Sequence, residues 1–176
     1  LHEIMYSIGI DLGGTSAQLV AVKKGKILFQ TSIAVRDNSS LRYILGDLSS
    51  CIDKFSITRS EPLVSIGIAF PSIVDGPNNK ILSRYVKYPD ALDFDLESWA
   101  KIKFGAALFL ENDARAALIG EYHFGFAKGY ENICVLTLGT GIGSAIMLDG
   151  KLLRGSNHLA GNLLGHTIIQ YEGGKC

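Results

Sequence analysis

Apolar residues in this chain fall into short runs whose period changes several times. "IMYSIGI" (4–10) and "SAQLVAV" (16–22) are apolar, partly β-branched runs on either side of "DLGGT", and "KKGK" turns the chain into "ILFQTSIAV" (27–35). This pattern predicts three consecutive antiparallel strands. The period then lengthens: Leu41, Ile44, Leu45, Leu48, Ile52 and Phe55 lie at helical spacing, with Asn38 to Ser40 available as caps, which predicts a helix over 41–55. "LVSIGIAF" (63–70) reads as a buried strand ended by Pro71.

Residues 72–94 carry neither period and read as irregular, with "DGPNN" and "YPD" as turn signals. Beyond them the chain predicts a short helix over 95–104 capped by Asp93 or Asp95, a strand over 106–111, and a helix over 113–127 opened by an acidic residue. Strands in "NICVLTL" and "GSAIMLD", a turn at Asp149-Gly150 and "KLLRG" follow.

Two of these stretches match each other. "GIDLGGTSAQLVAVKKGKIL" (9–28) and "LTLGTGIGSAIMLDGKLL" (136–153) each read strand, Gly/Thr turn, Ser-Ala, strand, Gly-Lys turn, strand. The same hairpin is therefore expected twice, as a duplication would leave it.

Composition narrows the partners. With 176 residues, 47% of them hydrophobic, the chain can build a core for one domain or one and a half. Its 17 basic and 17 acidic side chains balance, which disfavours nucleic acid or a membrane surface, since either needs clustered Lys and Arg. A small molecule is the expected partner. No apolar stretch approaches the ~20 residues of a membrane helix, and the N-terminus lacks the pattern of a secretory signal. Cys51, Cys134 and Cys176 are scattered and odd in number, which does not suit a disulfide framework, so a cytoplasmic protein is expected.

The two Gly/Thr turns carry the candidate chemistry. Glycine permits positive φ and removes the Cβ, so successive N–H groups can converge on an anion; a tight hairpin turn takes glycine for its dihedral angles alone. Two such turns in equivalent positions favour a nucleotide held between two halves. The chain has no G-x-x-x-x-G-K-[ST], and "GTGIGS" precedes a strand rather than the helix of a dinucleotide fold. Asp11, beside Gly13-Gly14-Thr15, would repel phosphate unless a cation lay between them, which makes it a candidate for Mg²⁺; its other role is capping the turn. Asn112-Asp113 stands at a strand-to-helix junction, where Asp113 serves either as a plain N-cap or as a base toward a hydroxyl. His166 and Cys176 could begin a zinc site, but two ligands do not close a tetrahedron.

In this order, "GIDLGGT" (9–15), "ENDARAALIGE" (111–121), "LTLGTGIGSAIMLDGKLLRG" (136–155) and "AGNLLGH" (160–166) resemble the ROK family of sugar kinases and sugar-responsive repressors, within the actin-like ATPase superfamily that includes hexokinases. The resemblance implies an α/β fold of two ribonuclease H-like domains with ATP in the cleft between them. Here it implies an N-terminal domain over 1–112 and the start of a duplicated second domain over 113–176. It implies phosphate contacts at Asp11, Gly13, Gly14 and Thr15 and at Gly139, Thr140, Gly141 and Gly143, with Mg²⁺ near Asp11. Asn112, Asn162 and His166 would contact sugar, with the "FPSIVDG" loop (70–76) a further wall, and Asp113 would be the general base. His166 also matches a residue that binds structural zinc in many members, and Cys176 the first cysteine of the family's C-x-C-G-x-x-G-C run.

The implied activity is ATP-dependent phosphorylation of a hexose or amino-sugar hydroxyl by a homo-oligomer, with dimers expected. Two features depart from the family pattern. Where the family usually reads A-G-E-x-G-H, this chain has Asn162 in place of the glutamate and one residue extra; asparagine bonds a hydroxyl but supplies no charged acceptor. The chain also stops at Cys176, so the expectation is the N-terminal part of a longer enzyme, without an adenosine pocket. Family members that bind DNA carry a helix-turn-helix ahead of "DLGGT", and only ten residues precede Asp11 here. No nucleic-acid partner is therefore expected, with a sugar-responsive regulator and a non-catalytic sugar-binding fragment as the alternatives.

Overall fold

In β1 (Tyr6–Leu12), Tyr6, Ile8, Ile10 and Leu12 are buried and the residues between them are not, the alternation that lays one face of a strand on a core. The structure is a computed structural model and describes residues 5–36, 40–139 and 141–168. β2 (Ser16–Lys23) and β3 (Lys26–Ala34) follow as antiparallel neighbours. α1 (Leu41–Ile57) then carries the chain to β4 (Leu63–Phe70), which lies parallel to β1. The connection beyond β4, read from sequence as irregular, contains a small hairpin of β5 (Val74–Asp75) and β6 (Lys80–Ile81) and two 3-10 turns, Gly76–Asn78 and Ala91–Asp93. α2 (Leu96–Phe104) leads into β7 (Ala107–Asn112), parallel to β4. The resulting sheet has the order β3-β2-β1-β4-β7.

Register explains the core of this first unit, Leu1–Asp113. Ile8 pairs with Ile66 and Ile66 with Leu108; one pleat on, Ile10 pairs with Ile68 and Ile68 with Leu110. These rows join Leu41, Ile44, Leu45, Leu48 and Ile52 of α1 and Leu96 and Ala100 of α2 in one buried cluster. Each such Leu or Ile contributes about 1.5–3 kcal/mol on burial.

The ends of the helices are held by side chains that the sequence offered for the purpose. The Ser40 hydroxyl accepts from the Tyr43 amide at 3.1 Å, and the Asp95 carboxylate accepts from the Ser98 amide at 2.9 Å. A second cap on α1 comes from far along the chain: Asp90 accepts from the Leu41 and Arg42 amides at 2.6 and 3.1 Å. The outer edge of β7 is also covered. Asn79, held at φ 52°, donates from Nδ2 to the Leu108 carbonyl at 3.1 Å and accepts the Leu110 amide on Oδ1 at 2.9 Å. Its amide imitates a peptide group of a neighbouring strand.

The second unit, Ala114–Cys176, takes up α3 (Asp113–Phe124) after its first residue. The helix was expected to reach 127 but stops at Phe124, where Glu121 turns back to accept the Phe126 amide at 2.9 Å and Gly125 follows. β8 (Ile133–Leu138), β9 (Ile142–Leu148) and β10 (Lys151–Leu152) form an antiparallel sheet of order β10-β9-β8. Ala145 and Met147 pack with Ala114 and Leu118 of α3 in a small core.

The expected repeat is visible in backbone detail. The order β10-β9-β8 matches β3-β2-β1, and both outer hairpins turn on two residues at positive φ. Lys24 and Gly25 have φ 49° and 72°, and Asp149 and Gly150 have φ 49° and 69°. These angles follow the right-handed twist of the flanking strands. Among the described residues no helix is long and apolar enough to cross a membrane.

Candidate functional site

β1 buries Ile10 and Leu12 and so turns Asp11 to the opposite face, at the mouth of the turn Gly13-Gly14-Thr15. The turn is closed by the Gly13 amide donating to the Ser16 carbonyl at 3.0 Å and by the Val35 amide donating to the Thr15 carbonyl at 2.9 Å. Neither Gly13 nor Gly14 needs a positive φ. What they need is the absence of a Cβ, which on Gly13 would stand 2.8 Å from the Ser16 carbonyl oxygen and on Gly14 2.8 Å from the Tyr85 hydroxyl. Among the described residues, the Gly14 and Thr15 amides meet no acceptor.

Asp113 opens α3, and the side chain before it orients it. Asn112, buried at 4% exposure, donates from Nδ2 to Asp113 Oδ1 at 2.8 Å and to the Ser72 carbonyl at 3.2 Å. Asn112 therefore stands behind Asp113. Asp11 is exposed by area, yet its carboxyl is crowded. Desolvation, and after it the charge of Asp113, holds its pKa above the usual carboxylate value. The Asp113 charge thus reaches Asp11 beside the turn.

A loop that sequence reading did not single out completes this region. Tyr88 is fully buried and donates its hydroxyl to the Gly13 carbonyl at 2.9 Å. Tyr85 and Tyr88 face each other in an antiparallel bridge, and their rings pack with Phe70. Burial, then the Tyr85 hydroxyl and the Asp11 charge, push the Tyr88 phenol well above its ordinary pKa, so it remains a donor. The signal in the sequence was "YVKYPD", two tyrosines three positions apart in a stretch without helical or strand period.

In the second unit, the turn after β8 is closed by the Gly139 amide donating to the Gly141 carbonyl at 3.0 Å. Among the described residues, chain neighbours aside, nothing lies within 4 Å of the Cβ position on either Gly139 or Gly141, and neither has a positive φ. The open space leaves this backbone accessible to a ligand. Thr140 lies outside the described residues. Gly143 is packed instead, its Cβ position in contact with Thr137 Oγ1.

Asn162 and His166 are brought to the same hairpin by local contacts. The 3-10 turn Leu164–His166 is anchored by the Leu164 amide, which donates to the buried Ser144 hydroxyl at 3.1 Å. Gly165 fits there because a Cβ would run into the Ile142 carbonyl. His166 is exposed and Asn162 half-buried. Thr167 and Ile168 belong to no strand, and later residues lie outside the described part. A residue missed from sequence supports the segment before them. Arg115 of α3 is fully buried and donates from Nη2 to the carbonyls of His158 and Ala160 at 2.9 and 3.2 Å.

In the first unit, the Gly14 and Thr15 amides, which meet no acceptor among the described residues, lie beside a carboxylate pair that disfavours a bare anion and so suit a phosphate carrying its own cation. In the second unit, the turn at Gly139 and Gly141 is open to a ligand in its own right. Among the described residues no group of three or more His, Cys, Asp or Glu could hold a metal, and Cys176, the expected zinc partner of His166, lies outside them.

The mixed five-stranded sheet is that of an actin-like ATPase domain. The chain is 34% identical to the glucokinase of Thermotoga maritima over 170 residues, covering 96% of this chain and 52% of that protein. At nearly the same level, 33% over 176 residues, it is similar to the xylose repressor of Bacillus spizizenii, covering 97% of this chain and 44% of the repressor. A ROK family glucokinase from Streptomyces griseus, solved in complex with glucose and AMPPNP, has a TM-score of 0.68 at 28% identity, over 89% of this chain and 48% of that one. The chain thus spans about half the length of the curated relatives it matches. Residues 7–176 match the ROK family, and the chain belongs to that family.

Proposed function

We propose that this chain is the acceptor-activating part of an ATP-dependent sugar kinase acting on a hexose or amino-sugar hydroxyl. One observation supports the reading: Asp113, held by Asn112, acts through its charge on Asp11, which stands beside the Gly13-Gly14-Thr15 turn. Bound ATP with Mg²⁺ supplies the phosphoryl group and the cation that offsets its charge. Asp113 accepts the proton of the sugar hydroxyl as the new O–P bond forms, while the bond to the leaving ADP breaks. In the first unit the Gly14 and Thr15 amides hold phosphate oxygens; in the second the turn at Gly139 and Gly141 is a phosphate contact and Asn162 and His166 are sugar contacts. Asn162, where the family usually has glutamate, accepts a sugar hydroxyl with a neutral oxygen and selects against sugars that need a charged partner. A cytoplasmic homodimer is the setting this reading expects.

A sugar-responsive regulator is the second reading, because the xylose repressor is as similar to this chain as the glucokinase is. The test measures ADP release from ATP against a panel of hexoses, with this chain, with a full-length protein containing it, and with the Asp113→Asn variant of that protein. Turnover by the full-length protein that falls at least about 10³-fold in the variant, with sugar affinity kept, supports the kinase. Sugar binding without turnover supports the regulator, and near-normal turnover by the variant removes Asp113 as the base.

A further inference from the structure

The loop between β6 and α2 lays two side chains on the phosphate turn that the reaction above does not use. The Tyr85 hydroxyl is 2.8 Å from the Cβ position on Gly14, and Lys87 Cγ is 3.9 Å from the same point. The loop is fixed there. Tyr88 is bonded to the Gly13 carbonyl at 2.9 Å, and the Tyr85 ring packs 5.8 Å from that of Tyr88 and 6.3 Å from that of Phe70. A hydroxyl donor and the stem of an ammonium therefore border the one glycine of this turn whose amide meets no acceptor among the described residues.

The surrounding charges agree with this placement. Desolvation and then the Asp113 carboxylate raise the pKa of the Tyr85 phenol, while the Lys87 charge lowers it, so the phenol feels both the base and the ammonium. A phosphoryl group arriving at the turn meets the carboxylates of Asp11 and Asp113, and a positive charge at Lys87 offsets their repulsion.

We propose that Tyr85 and Lys87 are phosphate-contacting residues of the first turn, Lys87 supplying fixed positive charge to the transferred phosphoryl group and Tyr85 donating its hydroxyl to one of that group's oxygens. The inference rests on the kinase reading for its chemistry, but its binding part can be measured without turnover.

Lys87→Met, Lys87→Arg and Tyr85→Phe are made in the full-length protein, and each is first matched to the wild type in thermal unfolding midpoint. Two quantities are then read: kcat and KM with ATP and the accepted sugar, and calorimetric binding of tripolyphosphate with Mg²⁺. Lys87→Met should lower kcat about 10²-fold and weaken tripolyphosphate about tenfold with sugar KM little changed. Lys87→Arg should restore most of both, and Tyr85→Phe should cost about tenfold in kcat. Turnover with wild-type values in Lys87→Met overturns the inference and leaves the kinase standing. Tripolyphosphate binding that depends on Lys87 in a protein that phosphorylates no sugar supports the phosphate contact and overturns its role in transfer together with the kinase. Absence of both turnover and Lys87-dependent binding overturns the two together.

Discussion

Asn112 donates to Asp113 Oδ1 at 2.8 Å while its own amide is bonded to the Ser72 carbonyl at 3.2 Å, so the aspartate's orientation is inherited from the strand behind it. In Asn112→Ala that donor is lost. Catalysis depends steeply on placement, and kcat should fall about 10²-fold while the KM for ATP changes little. The Ser72 carbonyl also loses a donor, so chemical unfolding should show a loss of about 1–3 kcal/mol. Full turnover in this variant would mean that Asp113 needs no such support.

The glycines of the two turns should respond differently to alanine. On Gly13 the methyl group meets the Ser16 carbonyl oxygen at 2.8 Å, a backbone atom that cannot move alone. Gly13→Ala should therefore destabilise by about 1–3 kcal/mol. On Gly139 it enters open space, so Gly139→Ala should stay within about 0.5 kcal/mol of the wild type. If that glycine approaches a ligand, nucleotide binding by the full-length protein should nonetheless weaken. Denaturation and nucleotide titration of the same pair of variants separate packing from ligand access.

Tyr88→Phe keeps the ring and removes only the hydroxyl that reaches Gly13. The expected cost is about 1–2 kcal/mol, seen in the urea midpoint. The turn loses one of its anchors, so phosphate binding should fall as well. An unchanged midpoint would show that solvent replaces this hydroxyl without penalty.

Much of this could be read from the chain because local signals agreed with tertiary ones. The stripe from Leu41 to Ile52 predicted α1, and it is the stripe that packs on the sheet. The matching Gly-Lys turns predicted the repeat, and Lys24-Gly25 and Asp149-Gly150 have closely similar positive φ angles. The loop over the first turn was not legible, because its order comes from contacts distant in sequence. Tyr88 finds Gly13 across 75 positions, and Asp90 caps a helix that begins 49 residues earlier. Arg115 was passed over because "DARAA" looks like an ordinary solvated helix start; its burial depends on carbonyls some forty residues away. The bond from Asn112 Nδ2 to the Ser72 carbonyl was not legible either, since it spans forty positions of the chain.

Stability should fall on acidification for reasons that can be assigned. Glu61 is held below its ordinary pKa by a hydrogen bond from Lys23, and Asp95 by the Ser98 amide. Folding thus favours their charged forms. Their contribution is complete above the ordinary values of 4.5 and 3.8 and is lost as pH falls through the lower values of the folded state. Asp11 works in the opposite sense: its pKa is raised on folding, so protonating it adds stability as pH falls through that raised value. Urea midpoints between about pH 7 and pH 3 should decline, and the decline should be shallower in Glu61→Gln and Asp95→Asn and steeper in Asp11→Asn. A decline of equal slope in all four proteins would discard this assignment.

Asn79 has a bearing on how the molecule behaves in a crowd. A sheet that ends in a bare strand invites a neighbour's strand to continue it, the first step toward insoluble aggregates. By engaging both the Leu108 carbonyl and the Leu110 amide, a single side chain closes the middle of β7 to that growth. In Asn79→Ala the edge would be open, and light scattering at rising protein concentration should show self-association that the unaltered protein resists.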